Sequence, residues 1–171
     1  MRQDEEHDAY DAAYAQRFWQ VLMRTERVLR EHRGQFIGKS SPIHFFWGSF
    51  DLALTFFSGR KAPERPGADR ITREAYSHEA ISCGFWPGSE QAPQAAFYAY
   101  SAPTPAGMAT AQVQPTAARY DDGLGEFLLP YNAVRLAADP AGDLRAFFAS
   151  TYEAGATLGQ WDRIALEHAA S

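Results

Sequence analysis

The sequence is poor in cysteine and in long hydrophobic runs. Cys83 is the only cysteine among 171 residues, which excludes an intrachain disulfide or a cluster of thiolate metal ligands and suits a reducing compartment. The longest apolar run, residues 43–57, is shorter than the roughly 20 residues of a membrane-spanning helix and is interrupted by polar side chains. The first residues, MRQDEEHD, resemble neither a signal peptide nor a transit peptide. We therefore expect a soluble, cytoplasmic protein that does not enter a membrane.

Positive charge is also scarce. Lys and Arg number 16 against 21 Asp and Glu, giving a net charge of −5, whereas nucleic-acid binding needs clustered basic residues. Glu26 and Glu31 interrupt the arginines at 24, 27, 30 and 33, so these arginines indicate a solvated helix face. No phosphate-binding loop, dinucleotide fingerprint or nucleophile elbow occurs in the sequence. These absences argue against a nucleic-acid partner and give no support to nucleotide binding.

Aromatic residues, in contrast, are abundant. The chain has 12 Phe, 8 Tyr and 4 Trp, and hydrophobic residues make up 46% of it. Aromatic side chains bury large areas, so this composition supports a core of ordinary size. The length fits one domain. We predict a single domain over residues 1–171, with residues 1–8 flexible.

Hydrophobic periodicity predicts helices at the two ends and strands between them. An amphipathic helix is expected over residues 10–32, capped by Asp8 or Asp11 and ended by a left-handed Gly34. Strands are expected at 43–57, 74–86 and 95–101, followed by a hairpin of 116–120 and 125–129. A short helix at 131–138 precedes a longer one that Asp139 caps, with Pro140 in its first turn and Gly159 at its end. This order predicts an α+β fold, with a mainly antiparallel sheet flanked by a long N-terminal helix and C-terminal helices.

The run IHFFWGSFDLALTFF, residues 43–57, is predicted to be one long strand. Alternation would place His44 on a nearly all-apolar face and Asp51 on the opposite, mixed face. Gly48 indicates a bulge or a close approach by another group. We expect Asp51 to be solvated or paired with Arg60, Arg70 or Arg73, and we keep it as a weak candidate for a general base. Cys83 is expected to be a small buried hydrophobe.

Long stretches of the sequence resemble a known family. The strings are SSPIHFFWGSFDLALTFFSGR, REAYSHEAISCGFWPG, AAFYAY, GEFLLPYNAVRLAADP and FFASTYEAG. They are similar to a bacterial family catalogued only as a domain of unknown function, family 5996. The resemblance implies no reaction, cofactor or catalytic residue. It does imply that the chain corresponds to the C-terminal half of longer members, so a homodimer or another partner would replace the absent half.

Two histidines on predicted strands are weak catalytic candidates. If their strands are neighbours, His44 and His78 could share one face, and a carboxylate such as Glu74 or Glu126 could complete a metal site. Packed, hydrogen-bonded histidines are the more common outcome, and their spacing matches no local metal motif, so we predict no metal. Ser77-His78-Glu79 is not expected to act as a triad, because neighbouring strand residues point to opposite faces.

Polar-tipped aromatic side chains on adjacent strands indicate a ligand pocket. We expect the residues that bind the ligand to include His44, Trp47, His78, Trp86, Tyr98 and Tyr100, between the sheet and the helices. A solid core with polar tips is the alternative structure for the same residues. The leading functional hypothesis is a small-molecule-binding domain. An enzyme that uses His44 and His78 for acid–base or metal chemistry, and an oligomerisation or interaction module, remain alternatives.

Overall fold

The computed structural model describes residues 10–64, 66–89 and 94–168. The helices are α1 (Ala12–Arg33), α2 (Arg70–Ala75), α3 (Tyr131–Arg135), α4 (Pro140–Leu158) and α5 (Arg163–Leu166), with a short 3-10 helix at Met108–Thr110. The strands are β1 (His44–Phe46), β2 (Asp51–Lys61), β3 (His78–Trp86), β4 (Ala96–Ala102), β5 (Arg119–Asp121) and β6 (Glu126–Pro130).

The strands form one antiparallel sheet in the order β1-β2-β3-β4-β6-β5. The predicted α+β class, with a long helix before the sheet and helices after it, is confirmed. No helix within the described residues is long and apolar enough to cross a membrane. Residues 1–8, predicted to be flexible, lie outside the described part of the chain.

The two long helices begin at the predicted caps. The Asp11 carboxylate accepts hydrogen bonds from the backbone N–H groups of Ala13 and Tyr14, and the Asp139 carboxylate accepts one from Gly142. These bonds satisfy amide groups that have no partner within the helix. Gly34 does end α1, but its φ of −63° is right-handed, so the predicted left-handed conformation is wrong. The chain instead continues through a tight turn in which the Gln35 N–H bonds the carbonyl of His32.

The predicted long strand 43–57 is a hairpin. Residues 47–50 form a turn between β1 and β2, and Phe50 adopts a left-handed φ of 56°. Across the hairpin, His44 lies opposite Ala53 and Phe46 opposite Asp51. His44 therefore shares the face of Ala53 and not that of Leu52, so its predicted place on the apolar face is wrong. Gly48 lies in the turn and not in a strand bulge.

The strand predicted at 74–86 begins only at His78, because residues 70–75 form α2. The Asp69 carboxylate caps this helix, accepting hydrogen bonds from the Thr72 backbone N–H at 3.0 Å and from the Thr72 hydroxyl at 2.6 Å. A capped helical turn satisfies its own amide groups without a partner strand. The predicted hairpin at 116–129 is confirmed as β5 and β6, although β5 is shorter than expected and β6 begins one residue later.

One face of the sheet, which we call the inner face, packs against α1 and α4. Its buried side chains are Leu52, Leu54, Phe56, Ile81, Cys83, Phe85, Phe97, Phe127 and Leu129, and α4 contributes Phe147 and Phe148. Cys83 is 2% exposed, which confirms the buried small hydrophobe. The space between the sheet and the helices, where the sequence placed a pocket, is thus largely filled by hydrophobic core.

The opposite face, the outer face, carries a separate small cluster. Ala53, Ala96, Tyr98 and Leu128 are buried there, and Trp86 and Tyr100 pack against them. Because side chains alternate along each strand, the aromatic residues of β3 and β4 divide between the two faces. Phe85 and Phe97 join the core, and Trp86, Tyr98 and Tyr100 lie outside it.

Candidate functional site

A groove of about 270 Å³ lies on the outer face. Side chains from both hairpins and from the strands between them line it: Ser49, Asp51, Trp86, Tyr98, Tyr100, Leu124 and Glu126. We call this set the outer-face groove. The turn between β1 and β2 contributes Ser49, and the turn between β5 and β6 contributes Leu124. The groove thus depends on the ends of two hairpins brought to one side of the sheet.

Tyr98 crosses the sheet to reach Asp51. Its hydroxyl donates a 2.6 Å hydrogen bond to the Asp51 carboxylate, although β3 lies between β4 and β2. Gly84 of β3 pairs with both Tyr98 and Ala53. A Cβ at Gly84 would lie 2.9 Å from the Tyr98 hydroxyl and 1.9 Å from the Leu52 carbonyl oxygen. The absent side chain of Gly84 therefore provides the space for Tyr98.

Asp51 accepts hydrogen bonds and has no arginine partner among the residues that the structure describes. Besides the bond from Tyr98, its carboxylate accepts one from the Ser49 hydroxyl. Burial, reinforced by the hydrogen bond to Asp51, raises the pKa of Tyr98, so the phenol stays protonated and remains a donor. The predicted partners lie elsewhere. Arg60 forms an ion pair with Glu79 at 2.7 Å and Arg70 one with Glu74 at 2.8 Å, and within the described residues Arg73 makes no ion pair with Asp51.

Glu126 is the second carboxyl group of the groove, and its ionisation is perturbed. Burial, followed by the negative charges of Asp121 and Asp51, raises the pKa of Glu126 to about 7. Within the part of the chain that the structure describes, the Glu126 carboxyl has no hydrogen-bonding or ionic partner. Glu126 thus changes charge near neutral pH, where an ordinary glutamate is already ionised.

Tyr100 and Trp86 supply the aromatic walls. The Tyr98 and Tyr100 rings stack at 6.2 Å with an interplanar angle of 16°, and the Tyr100 hydroxyl lies 3.3 Å from that of Tyr76. Burial and this contact raise the pKa of Tyr100. A second hollow of about 240 Å³ adjoins the groove, sharing Trp86 and Leu124 with it and adding Arg119 and Asp121.

Only some of the predicted ligand-binding residues meet in this groove. Trp86, Tyr98 and Tyr100 line it, as does Asp51. Trp47 is 77% exposed and contacts Phe45 and Phe50 instead. His44 and His78 are both exposed and are absent from the lining.

The strand register places His44 and His78 far apart, which contradicts the hypothesis that they share a site. His44 pairs with Ala53 and His78 pairs with Lys61 at the far end of β2. At about 3.3 Å per residue, these positions are roughly 25 Å apart, so the two histidines cannot share a proton or a metal ion. Among the described residues, no group of three His, Cys, Asp or Glu is placed to hold a metal.

The residues flanking His78 also differ from expectation. The Ser77 hydroxyl lies 3.2 Å from the His78 Nδ1, because Ser77 precedes the strand and escapes its alternation. Glu79 does point away, and its carboxylate accepts a hydrogen bond from the Arg60 side chain at 2.8 Å. The pair is exposed, and no third group completes a triad around it among the described residues.

Sequence reasoning missed Ser49 and Leu124 and gave Glu126 the wrong neighbours. The sequence suggests Glu126 only as a metal ligand beside the histidines. Ser49 and Asp51 lie two residues apart in the sequence, and this proximity is the available local signal for their contact. The prediction of a continuous strand hides the turn that contains Ser49.

The fold and the groove together define an α+β domain with helices on the inner face of its sheet and an acidic, aromatic groove on the other. The chain belongs to a family of unknown function (DUF5996), whose family model matches residues 1–168. Membership, predicted from the resemblance, is therefore confirmed. No curated protein and no solved structure matches the chain.

Proposed function

We propose that the protein binds a small molecule in the outer-face groove. The observation that carries this proposal is the convergence of two carboxyl groups with Trp86 and two tyrosines on a concave part of the sheet. A largely apolar lining with a few converging polar groups is the usual form of a ligand site. The groove volume of about 270 Å³ is close to the lower end of the range for such sites, roughly 300–1,000 Å³, so the ligand is small.

Pre-organisation supports the proposal. The hydrogen bonds from Tyr98 and Ser49 hold the Asp51 carboxylate in place before a ligand arrives. The space over Gly84 lets Tyr98 reach its acceptor without displacing β3. Groups already fixed in the free protein lose little conformational entropy on binding, which raises affinity.

The four tryptophans give a direct test of where ligands bind. Trp86 lines the groove, whereas Trp19 and Trp47 are 57% and 77% exposed elsewhere and Trp161 is buried. We expect ligands from a chemically diverse fragment library to shift the indole N–H resonance of Trp86 in NMR spectra and to leave the other three unchanged. Trp86→Phe assigns the resonance. A library that yields no fragment acting on Trp86 would refute the proposal.

A second candidate function is association through the first hairpin. Phe46, Trp47 and Phe50 are 48%, 77% and 48% exposed, and β1 is an edge strand of the sheet. Exposed aromatic groups on an edge strand are typical of interaction surfaces, and a homodimer or another partner chain would cover them. Sedimentation velocity tests this directly. A monomer whose behaviour is unchanged by Trp47→Ser over a wide concentration range would count against it.

We also propose a cellular compartment for the protein. Cys83 is the only cysteine and is buried, which suits a reducing compartment. Together with the resemblance to bacterial sequences, this supports a bacterial, cytoplasmic protein. Cell fractionation with an epitope-tagged chain tests this, and recovery in another fraction would contradict it. The distant positions of His44 and His78 give no support to the enzymatic alternative.

A further inference from the structure

We propose that the ligand of the outer-face groove is a small organic cation that places its charged group at Asp51 and Glu126 and its apolar part against Trp86 and the tyrosine rings. This inference rests on the proposed binding function and specifies its ligand class. The expected ligand is positively charged and organic, and it is not a metal ion.

The sign of charge follows from the lining. Two of its seven side chains are acidic, and Lys, Arg and His are absent from them. Asp51 accepts hydrogen bonds only from neutral hydroxyl groups, and Glu126 has no partner among the described residues. A carboxylate partly removed from water gains most from a cation that also donates hydrogen bonds. An anionic ligand would meet repulsion from both groups.

The organic character follows from the aromatic walls. Trp86, Tyr98 and Tyr100 present ring surface beside the two carboxyl groups. Aromatic faces attract organic ammonium and guanidinium groups and bury their hydrocarbon parts. A divalent metal ion needs several oxygen ligands at short distance, and no group of three acidic, histidine or cysteine side chains among the described residues is placed to supply them.

Proton release from Glu126 would report that the bound ligand is positively charged. The acidic groups that raise its pKa are Asp51 at the start of β2 and Asp121 of β5, and the Tyr100 and Tyr98 phenols face the same groove from β4. A bound cation favours the ionised carboxylate, so Glu126 releases a proton when the ligand binds. Affinity for a permanent cation should therefore rise as the pH is raised through 7, near the pKa of Glu126.

The test uses three probes with one hydrocarbon frame. Phenethylammonium, phenethyl alcohol and hydrocinnamate carry a positive, neutral and negative group, and each is titrated into the full chain while the Trp86 indole resonance is followed. We expect the ammonium to bind most tightly. Asp51→Asn and Glu126→Gln should each weaken its binding about tenfold or more, the usual effect of losing one charged hydrogen bond. Asp122→Asn is the matched control, because Asp122 is an exposed residue of the same hairpin that does not line the groove.

Isothermal titration calorimetry in two buffers of different ionisation enthalpy measures the number of protons released on binding. Phenethylammonium binding near pH 7 should release protons from the native protein, and Glu126→Gln should abolish that release while remaining folded. The proposal is overturned if the alcohol or hydrocinnamate binds as well as the ammonium at Trp86, a result that leaves the groove a binding site of another class. Calcium or magnesium chloride that shifts Trp86 more strongly than the ammonium would overturn its organic character. If all three probes and the fragment library leave Trp86 unchanged, the proposed function fails as well.

Discussion

Replacing Glu126 by glutamine should make the protein more stable at alkaline pH and leave its stability near pH 4, below the unfolded-state pKa of 4.5, nearly unchanged. The pKa of Glu126 is raised from 4.5 to about 7 by burial and by the charges of Asp121 and Asp51. Between these two values the folded state keeps a proton that the unfolded state has released. Stability therefore falls as the pH rises through this window, because the unfolded state binds fewer protons.

The size of the effect follows from that pKa difference. At about 1.4 kcal/mol per pKa unit, a carboxyl raised from 4.5 to about 7 loses at most about 3 kcal/mol of folding free energy. Glu126 is half-buried, and solvent screens part of its interaction with the other carboxylates, so we expect about 1–2 kcal/mol. Glutamine keeps the shape and cannot ionise, so the variant avoids this cost.

Urea unfolding of the native protein and of Glu126→Gln, measured from pH 4 to pH 8.5, gives the comparison. The difference in free energy of unfolding should be small at pH 4 and should reach about 1–2 kcal/mol in favour of the variant above pH 7. Contributions from titrating groups distant from Glu126 cancel in this difference. Glu64→Gln is the control, since Glu64 is an exposed carboxylate. Stability differences for Glu126→Gln that stay constant with pH would refute the account of the groove as a site of repelling carboxylates.

Three further outcomes are expected. Gly84→Ala should cost about 3 kcal/mol of stability in thermal or urea unfolding, because its Cβ would lie 1.9 Å from the Leu52 carbonyl oxygen. Gly48→Ala, with nothing within 4 Å of its Cβ, should be nearly neutral, and equal effects would contradict this. Cys83 should resist thiol reagents in the native state and react on unfolding, because burial raises the pKa of its thiol; a fast native reaction would show that it is accessible. Burial lowers the pKa of His32 from 6.5 to about 4, so between these pH values only the unfolded state gains a proton at this residue, and the folded state loses stability as the pH falls. His32→Phe should remove up to about 3 kcal/mol of this acid destabilisation. An unchanged acid transition would exclude that role.

The elements that the sequence predicted well are those with local signals. Asp11 caps α1, and Asp139 with Pro140 starts α4, as expected from the cap chemistry alone. The apolar stripe of α4 follows the helical period, and the hairpin of β5 and β6 follows its Asp-Asp-Gly turn. Such features depend on residues a few positions apart, so one sequence is enough to find them.

The candidate site was only half predictable because it depends on register. Trp86, Tyr98 and Tyr100 were expected together from alternation on neighbouring strands, and they do line one groove. Asp51 and Glu126 join them only because the register of the β1–β2 and β5–β6 hairpins places both carboxyl groups on the outer face. Pairing between strands is set by turn geometry and by packing across the sheet, and neither is visible in a run of alternating residues.

The length of the turn at residues 47–50 determines which side chains of β1 face the core. With four residues between the paired Phe46 and Asp51, the Phe45 side chain faces the core and His44 faces outward. One residue gained or lost there would exchange these two positions, burying an imidazole and exposing a phenyl ring, while β2 kept its place in the sheet. Substitution of Gly48, whose Cβ would meet nothing within 4 Å, leaves this arrangement intact. Among natural relatives this turn should therefore hardly vary in length.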